Sequence, residues 1–173
     1  MTITVTSDYK TQKGALQSIV DGDSSTYWGA QDGQATGKNI TFSFSGPVTF
    51  MGITTKSGSS NGTQIYSGTS LQVSSDGTTW KTIGSFNGQM TCTLSGFYET
   101  RVMAVRLYWN AGNKRKLTFY EAEFDIREEH VYRKINGIWV PAKAAYKKTS
   151  NRWGETEDLS EIQHRNVIDR DTE

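Results

Sequence analysis

Asp21-Gly22-Asp23-Ser24-Ser25-Thr26-Tyr27-Trp28 is the stretch on which the reading of this chain turns. An Asp-Gly-Asp followed by small hydroxyl residues is a tight turn dense in oxygen donors, in which glycine takes backbone angles that a side chain would forbid. Such a turn can wrap a hard cation such as calcium, which takes roughly six to eight oxygens from carboxylates, hydroxyls and backbone carbonyls. Taken in isolation it reads as a plain Asx turn. Two later stretches change that: a second turn of the same chemistry, Ser75-Asp76-Gly77-Thr78-Thr79-Trp80, and the acidic, apolar alternation Glu121-Ala122-Glu123-Phe124-Asp125-Ile126.

The segments between these motifs read as short strands. Glycine is abundant at 17 residues and proline scarce at 2, and Thr, Ser, Val and aromatic residues recur in runs bounded by Gly, Asn and Asp. Ile40 to Phe44 alternates as Ile-Thr-Phe-Ser-Phe, Leu71 to Ser75 as Leu-Gln-Val-Ser-Ser, and Val102 to Trp109 forms a longer mixed apolar run. Several short strands separated by turn signals predict an all-β sandwich or barrel. With 173 residues the chain holds one good core and an appendage.

Taken together, the three motifs resemble a discoidin-type (coagulation factor 5/8 type C) or galactose-binding jelly-roll module, over roughly residues 10 to 126. The resemblance implies a jelly-roll β-sandwich whose first loop and last strand share a structural calcium ion. Carried over residue by residue, the ligands are Asp21, Asp23, Thr26 and Glu121, with Glu123 as the alternative closing carboxylate two residues on. The resemblance also implies glycan binding. A sugar needs a flat aromatic face and planar amides or guanidinium groups for its hydroxyls. Candidates on predicted loops are Tyr66, Tyr98, Asn110 and Arg115, whereas Trp28 and Trp80 fall where similar modules pack aromatics against the core.

A change of texture near residue 127 marks a boundary. Residues 1 to 126 carry 10 Lys+Arg and 9 Asp+Glu, while residues 127 to 173 carry 9 of each in little more than a third of the length. Within the second segment Tyr132-Arg133-Lys134-Ile135-Asn136-Gly137-Ile138-Trp139 is echoed by Tyr146-Lys147-Lys148-Thr149-Ser150-Asn151-Arg152-Trp153. Asn-Gly and Ser-Asn fall where two-residue hairpin turns belong, so two small hairpins are expected. The repeat resembles units near the ends of bacteriophage tail and other structural proteins. Thr156-Glu157-Asp158-Leu159-Ser160-Glu161-Ile162 then offers a hydroxyl cap, early acids and spaced apolar residues, which predicts a short helix.

Other classes find little support. Neither His130 nor His164 stands at metal-ligand spacing from another ligand, and no nucleophile and base pattern is apparent, so no enzyme is expected. A net charge of +1 provides no phosphate-seeking field, which argues against nucleic acid. The one basic cluster, Lys114-Arg115-Lys116, reads as a solvated loop or as a contact for anionic sugars, teichoic acid or an acidic tail. No apolar run is long enough to cross a membrane, no secretory signal is visible, and the single Cys92 is expected to be a small buried side chain. The expectation is a non-enzymatic virion protein with a glycan-binding jelly roll in residues 1 to 126. Residues 127 to 173 would assemble with other virion proteins or with further copies of the chain. The alternatives are a purely architectural virion component and a bacterial cell-surface glycan-binding module.

Overall fold

A computed structural model describes residues 1–58 and 63–129 with their side chains, and beyond them the backbone of four strands. The first unit spans Met1–Glu129 and contains eight strands: β1 (Ile3–Ser7), β2 (Thr11–Lys13), β3 (Trp28–Gly33), β4 (Asn39–Ser57), β5 (Ser70–Ser74), β6 (Lys81–Ser85), β7 (Thr91–Tyr108) and β8 (Lys116–Glu128). One 3-10 turn, Leu16–Val20, precedes the Asp-Gly-Asp loop.

All the pairings are antiparallel, and two long strands organise them. The first half of β4 pairs with β1, Ile3 against Phe44, and with the last part of β7, Asn39 against Tyr108. Register shifts between Ser43 and Gly52 bend the strand, as bulges do. Its second half then pairs with the first part of β7, Lys56 against Thr91, and with β8, Lys56 against Glu121. The layer holding β1 is completed by β5 and β6 beside β7, and the layer holding β8 by β3 and β2. The result is the expected jelly-roll sandwich.

The core follows from period-2 alternation. Ile40, Phe42 and Phe44 point inward from β4 while Thr41 and Ser43 face out. The Phe42 ring meets Phe119 at 6.4 Å and Phe124 at 5.1 Å, edge to face, which stitches β4 to β8. Trp28 and Trp109 are fully buried, and Cys92 is a buried free thiol, as its sequence context predicts. Each such side chain contributes roughly 1.5–3 kcal/mol by leaving water. Trp80 lies outside this core. It is half-buried on the sheet face, with the Arg106 guanidinium 4.2 Å over its ring.

The end of the unit is tied down. β8 carries on past Ile126 to Glu128, and the Glu129 N–H donates to the Pro47 carbonyl. One Glu129 carboxylate oxygen accepts from the Thr49 hydroxyl at 2.8 Å and from the Arg101 N–H at 2.9 Å. Arg101 has φ +54, the single positive value among the described non-glycine residues, so this carboxylate stabilises an unfavourable backbone geometry at a bulge.

The second unit, His130–Glu173, is described through two hairpins. β9 (Tyr132–Ile135) pairs with β10 (Ile138–Pro141), Ile135 against Ile138, and β11 (Tyr146–Thr149) pairs with β12 (Arg152–Glu155), Thr149 against Arg152. These are the hairpins expected from the repeat. The helix expected over residues 156 to 162 lies outside the described residues.

Candidate functional site

The Asp-Gly-Asp loop is folded by its own side chains. Asp21 accepts the Asp23 N–H at 2.8 Å on one oxygen and the Thr26 hydroxyl at 3.0 Å on the other. Asp23 accepts the Ser25 N–H and hydroxyl, at 2.9 and 2.6 Å, which holds its carboxyl below the usual range. Gly22 takes φ +80, the geometry for which glycine is needed here. The loop closes onto β8 at Glu121, which is only 3 % exposed. Burial is the main force raising the Glu121 pKa, and the Asp21 carboxylate pushes it further; the Ala122 and Gly22 N–H groups oppose them.

One oxygen of Glu121, Oε2, is buried without a hydrogen-bond partner. A buried carboxylate oxygen left unpaired beside a second carboxylate is what an oxygen-seeking cation would resolve. The donor set fits calcium: Glu121, Asp21, the Thr26 hydroxyl and nearby carbonyls are all hard oxygens. Asp23 supplies its backbone carbonyl to Thr26 and turns its carboxylate to Ser25. Among the described residues no group of three or more acidic, His or Cys side chains is gathered as a metal cluster, so hydroxyl and carbonyl oxygens would complete the shell. Glu123, the alternative, is exposed and pairs with Lys56 at 3.3 Å.

A second feature is a pocket of about 410 Å³ where three loops meet. The loop after β4 contributes Gln64, Ile65, Tyr66 and Ser67; the turn after β6 gives Asn87 and Gly88; the loop after β7 gives Asn113, Lys114 and Arg115. Gln34, buried at 2 %, stands behind it and ties the loops together. Its amide nitrogen donates to the Gln64 carbonyl at 2.9 Å, and its amide oxygen accepts the Tyr66 N–H at 2.9 Å and the Trp109 indole N–H at 2.8 Å. Its backbone accepts from the Asn113 N–H and donates to the Arg115 carbonyl. Gly112 lets the third loop press this close, since a Cβ there would lie 2.5 Å from the Gln34 carbonyl oxygen.

The structure sorts the four residues expected to contact sugar. Tyr66 and Arg115 are brought together in the pocket, Tyr66 half-buried and packed against the core. Asn110 is exposed and lies outside the pocket lining, its amide nitrogen donating to the Gly68 carbonyl at 2.7 Å and to the Ser70 hydroxyl at 2.6 Å. Tyr98 stands apart from the pocket lining. It is 67 % exposed, and its hydroxyl accepts from Arg127 at 3.2 Å. Sequence reasoning missed Gln34 as the organiser. A lone glutamine between Gly33 and Ala35 gives no local signal, because its side-chain partners lie 30, 32 and 75 residues away.

Several solved structures share this architecture. A Clostridium perfringens module, CpGH89CBM32-5, determined with GalNAc-β-1,3-galactose, superposes with a TM-score of 0.60 at 18% identity, over 70% of this chain and 94% of that one. The family 32 carbohydrate-binding module of NanJ from C. perfringens, solved with galactose, gives 0.57 at 12% identity, over 70% and 92%. The module of AlyQ with 4,5-unsaturated mannuronic acid gives 0.55 at 20%, over 70% and 93%. At these identities they establish the fold, that of a carbohydrate-binding type of module, and some such modules stand within much longer chains. Comparison with curated protein sequences returns no match. The sequence profile of the F5/8 type C domain covers residues 2–121, more than half of the length, and with the three motifs and the sandwich in place the chain belongs to that family.

Proposed function

We propose that this chain is a non-enzymatic, glycan-binding virion protein of a bacteriophage, whose jelly roll adheres to host cell-wall sugar while residues 127 to 173 dock to other virion proteins. The pocket carries the glycan reading: it combines an aromatic side chain, Tyr66, with amides and a guanidinium group on loops pinned by hydrogen bonds to the buried Gln34. Sites of this kind bind with little reordering, which favours affinity. The relatives solved with galactose-type sugars and with an unsaturated uronate are consistent with it. The virion setting rests on the fourteen-residue repeat in the second unit and its resemblance to phage structural proteins. Calcium, in this reading, is structural and binds between Asp21 and Glu121.

One observation favours a second reading, an architectural virion component. Tyr66 is half-buried, and Tyr98, the exposed aromatic among the described residues, is not in the pocket lining, so the described lining lacks a wide stacking platform. Binding of the full-length protein to intact bacterial cell walls and to a glycan array, with calcium and with chelator, separates the two. Saturable binding competed by one sugar supports the adhesin. No binding even in multivalent display, where avidity multiplies weak contacts, supports the architectural role.

A further inference from the structure

We infer that Asn87 is a site of spontaneous covalent modification, where the side-chain amide closes onto the Gly88 nitrogen as a succinimide and then hydrolyses to aspartate or isoaspartate. Asn87-Gly88-Gln89 forms the turn after β6, and its first two residues line the pocket. Asn87 is exposed to water. Its amide oxygen accepts the Gln89 N–H at 3.1 Å, a donor placed where negative charge builds when the amide carbon is attacked. The attacking atom is the Gly88 nitrogen, whose N–H meets no hydrogen-bond acceptor among the described residues. Glycine also presents no side chain to obstruct the approach. Two other asparagines show what sets Asn87 apart. Asn113 lines the same pocket and folds the same Asx turn, its amide oxygen accepting the Arg115 N–H at 2.8 Å, but the residue that follows it is Lys114, whose side chain crowds the attacking nitrogen. Asn110 is followed by Ala111, and its amide nitrogen, the leaving group, is held by the Gly68 carbonyl and the Ser70 hydroxyl.

The reaction needs water alone. Hydroxide takes the Gly88 amide proton, the nitrogen's electron pair forms the bond to Cγ of Asn87, and the Cγ–Nδ2 bond breaks as that nitrogen takes a proton from water and leaves as ammonia. Water then adds to one of the two carbonyls of the five-membered ring and opens it, giving aspartate, or isoaspartate with one more methylene in the main chain. Nothing is oxidised or reduced. The consequence for the pocket rests on its glycan-binding reading. An amide that donates two hydrogen bonds to sugar hydroxyls is replaced by a carboxylate that only accepts them. The longer main chain of isoaspartate also disturbs a turn packed closely on Ser67, where a Cβ on Gly88 would lie 3.1 Å from the Ser67 Cβ.

The test ages the folded full-length protein in mildly alkaline and in mildly acidic buffer, with circular dichroism to follow the fold, and maps tryptic peptides by mass spectrometry. The peptide from Thr82 to Arg101 contains Asn87 and no other asparagine, so its mass gain reports this site directly. Asn87 is expected to convert about tenfold faster than Asn113, faster in alkali than in acid, and to give an isoaspartate signal with an isoaspartate methyltransferase. Asn87→Gln should remove both signals from that peptide. An Asn87 that stays intact in alkali, or converts no faster than Asn113, would overturn the site. Aged protein separated by charge is then compared with fresh protein on cell walls and the glycan array, and the converted fraction should bind about tenfold more weakly. Equal binding by the two fractions would overturn the consequence for the pocket. Absence of binding by fresh protein would remove the glycan reading and that consequence with it, while the mass measurement decides the modification site on its own.

Discussion

Glu121 is the residue whose surroundings make the sharpest statement about ions. Its folded pKa is raised, by burial first and by Asp21 second, so the folded protein holds this proton more tightly than the unfolded chain. Without cation, its contribution to stability is present below the ordinary carboxylate pKa and is lost as pH rises through the raised value. Calcium should reverse that trend by compensating the ionised pair. Glu121→Gln is therefore expected to flatten the metal-free dependence of melting temperature on pH and to abolish the calcium response, as read by thermal scans from acid to neutral pH. A calcium shift that persists in the variant would remove Glu121 from the site. Gln34 makes a different prediction. Gln34→Leu removes three hydrogen bonds, to the Gln64 carbonyl and from the N–H groups of Tyr66 and Trp109, at roughly 1 kcal/mol each, so unfolding free energy should fall by about 3 kcal/mol in denaturant titration. Pocket binding should fall with it.

At the scale of loops and strands, the close approach of Gly112 to Gln34 is directly testable. A methyl group there meets backbone, so Gly112→Ala should destabilise by about 1–3 kcal/mol and shift the pocket loops. Gly22→Ala meets nothing within 4 Å, and its penalty is conformational, about 1 kcal/mol. Unfolding curves of the two variants side by side test that ranking. The strands were legible in the sequence wherever alternation was local: Ile40 to Phe44 lies in β4, Leu71 to Ser74 in β5, Val102 to Tyr108 in β7. The length of β4 was not. The strand runs on through Ser45-Gly46-Pro47 and its bulges because β7 and β8 pair with its second half, partners that no local alternation reveals. The turn chemistry of both Asp-Gly motifs was also visible, and Asp76 does accept the Thr78 and Thr79 N–H groups at 2.7 Å. The pocket was only half legible. Tyr66 and Arg115 are polar or aromatic loop residues of an evident kind, whereas the convergence of their loops depends on contacts far apart in the chain.

For the whole molecule, the division at Glu129 predicts separable parts. A chain ending at Glu129 keeps every strand pairing of the sandwich, along with the carboxylate that secures Arg101 and Thr49. It should melt cooperatively, keep pocket binding, and lose any self-association or docking seen for the full chain in analytical ultracentrifugation. A truncated protein without a cooperative transition would sink this division. The bent strands β4 and β7 carry a consequence of another kind. Because each belongs to both layers, neither layer can come apart while the other stays intact. Amide protons in the second half of β4 should exchange with deuterium at the rate set by global unfolding, in step with those of its first half. Pairings such as Asn39 with Tyr108 join residues far apart in sequence, so the chain must close long loops before either strand is secure. Refolding should accordingly be slow for a domain of this size, a single event on the millisecond-to-second scale of non-local β topologies.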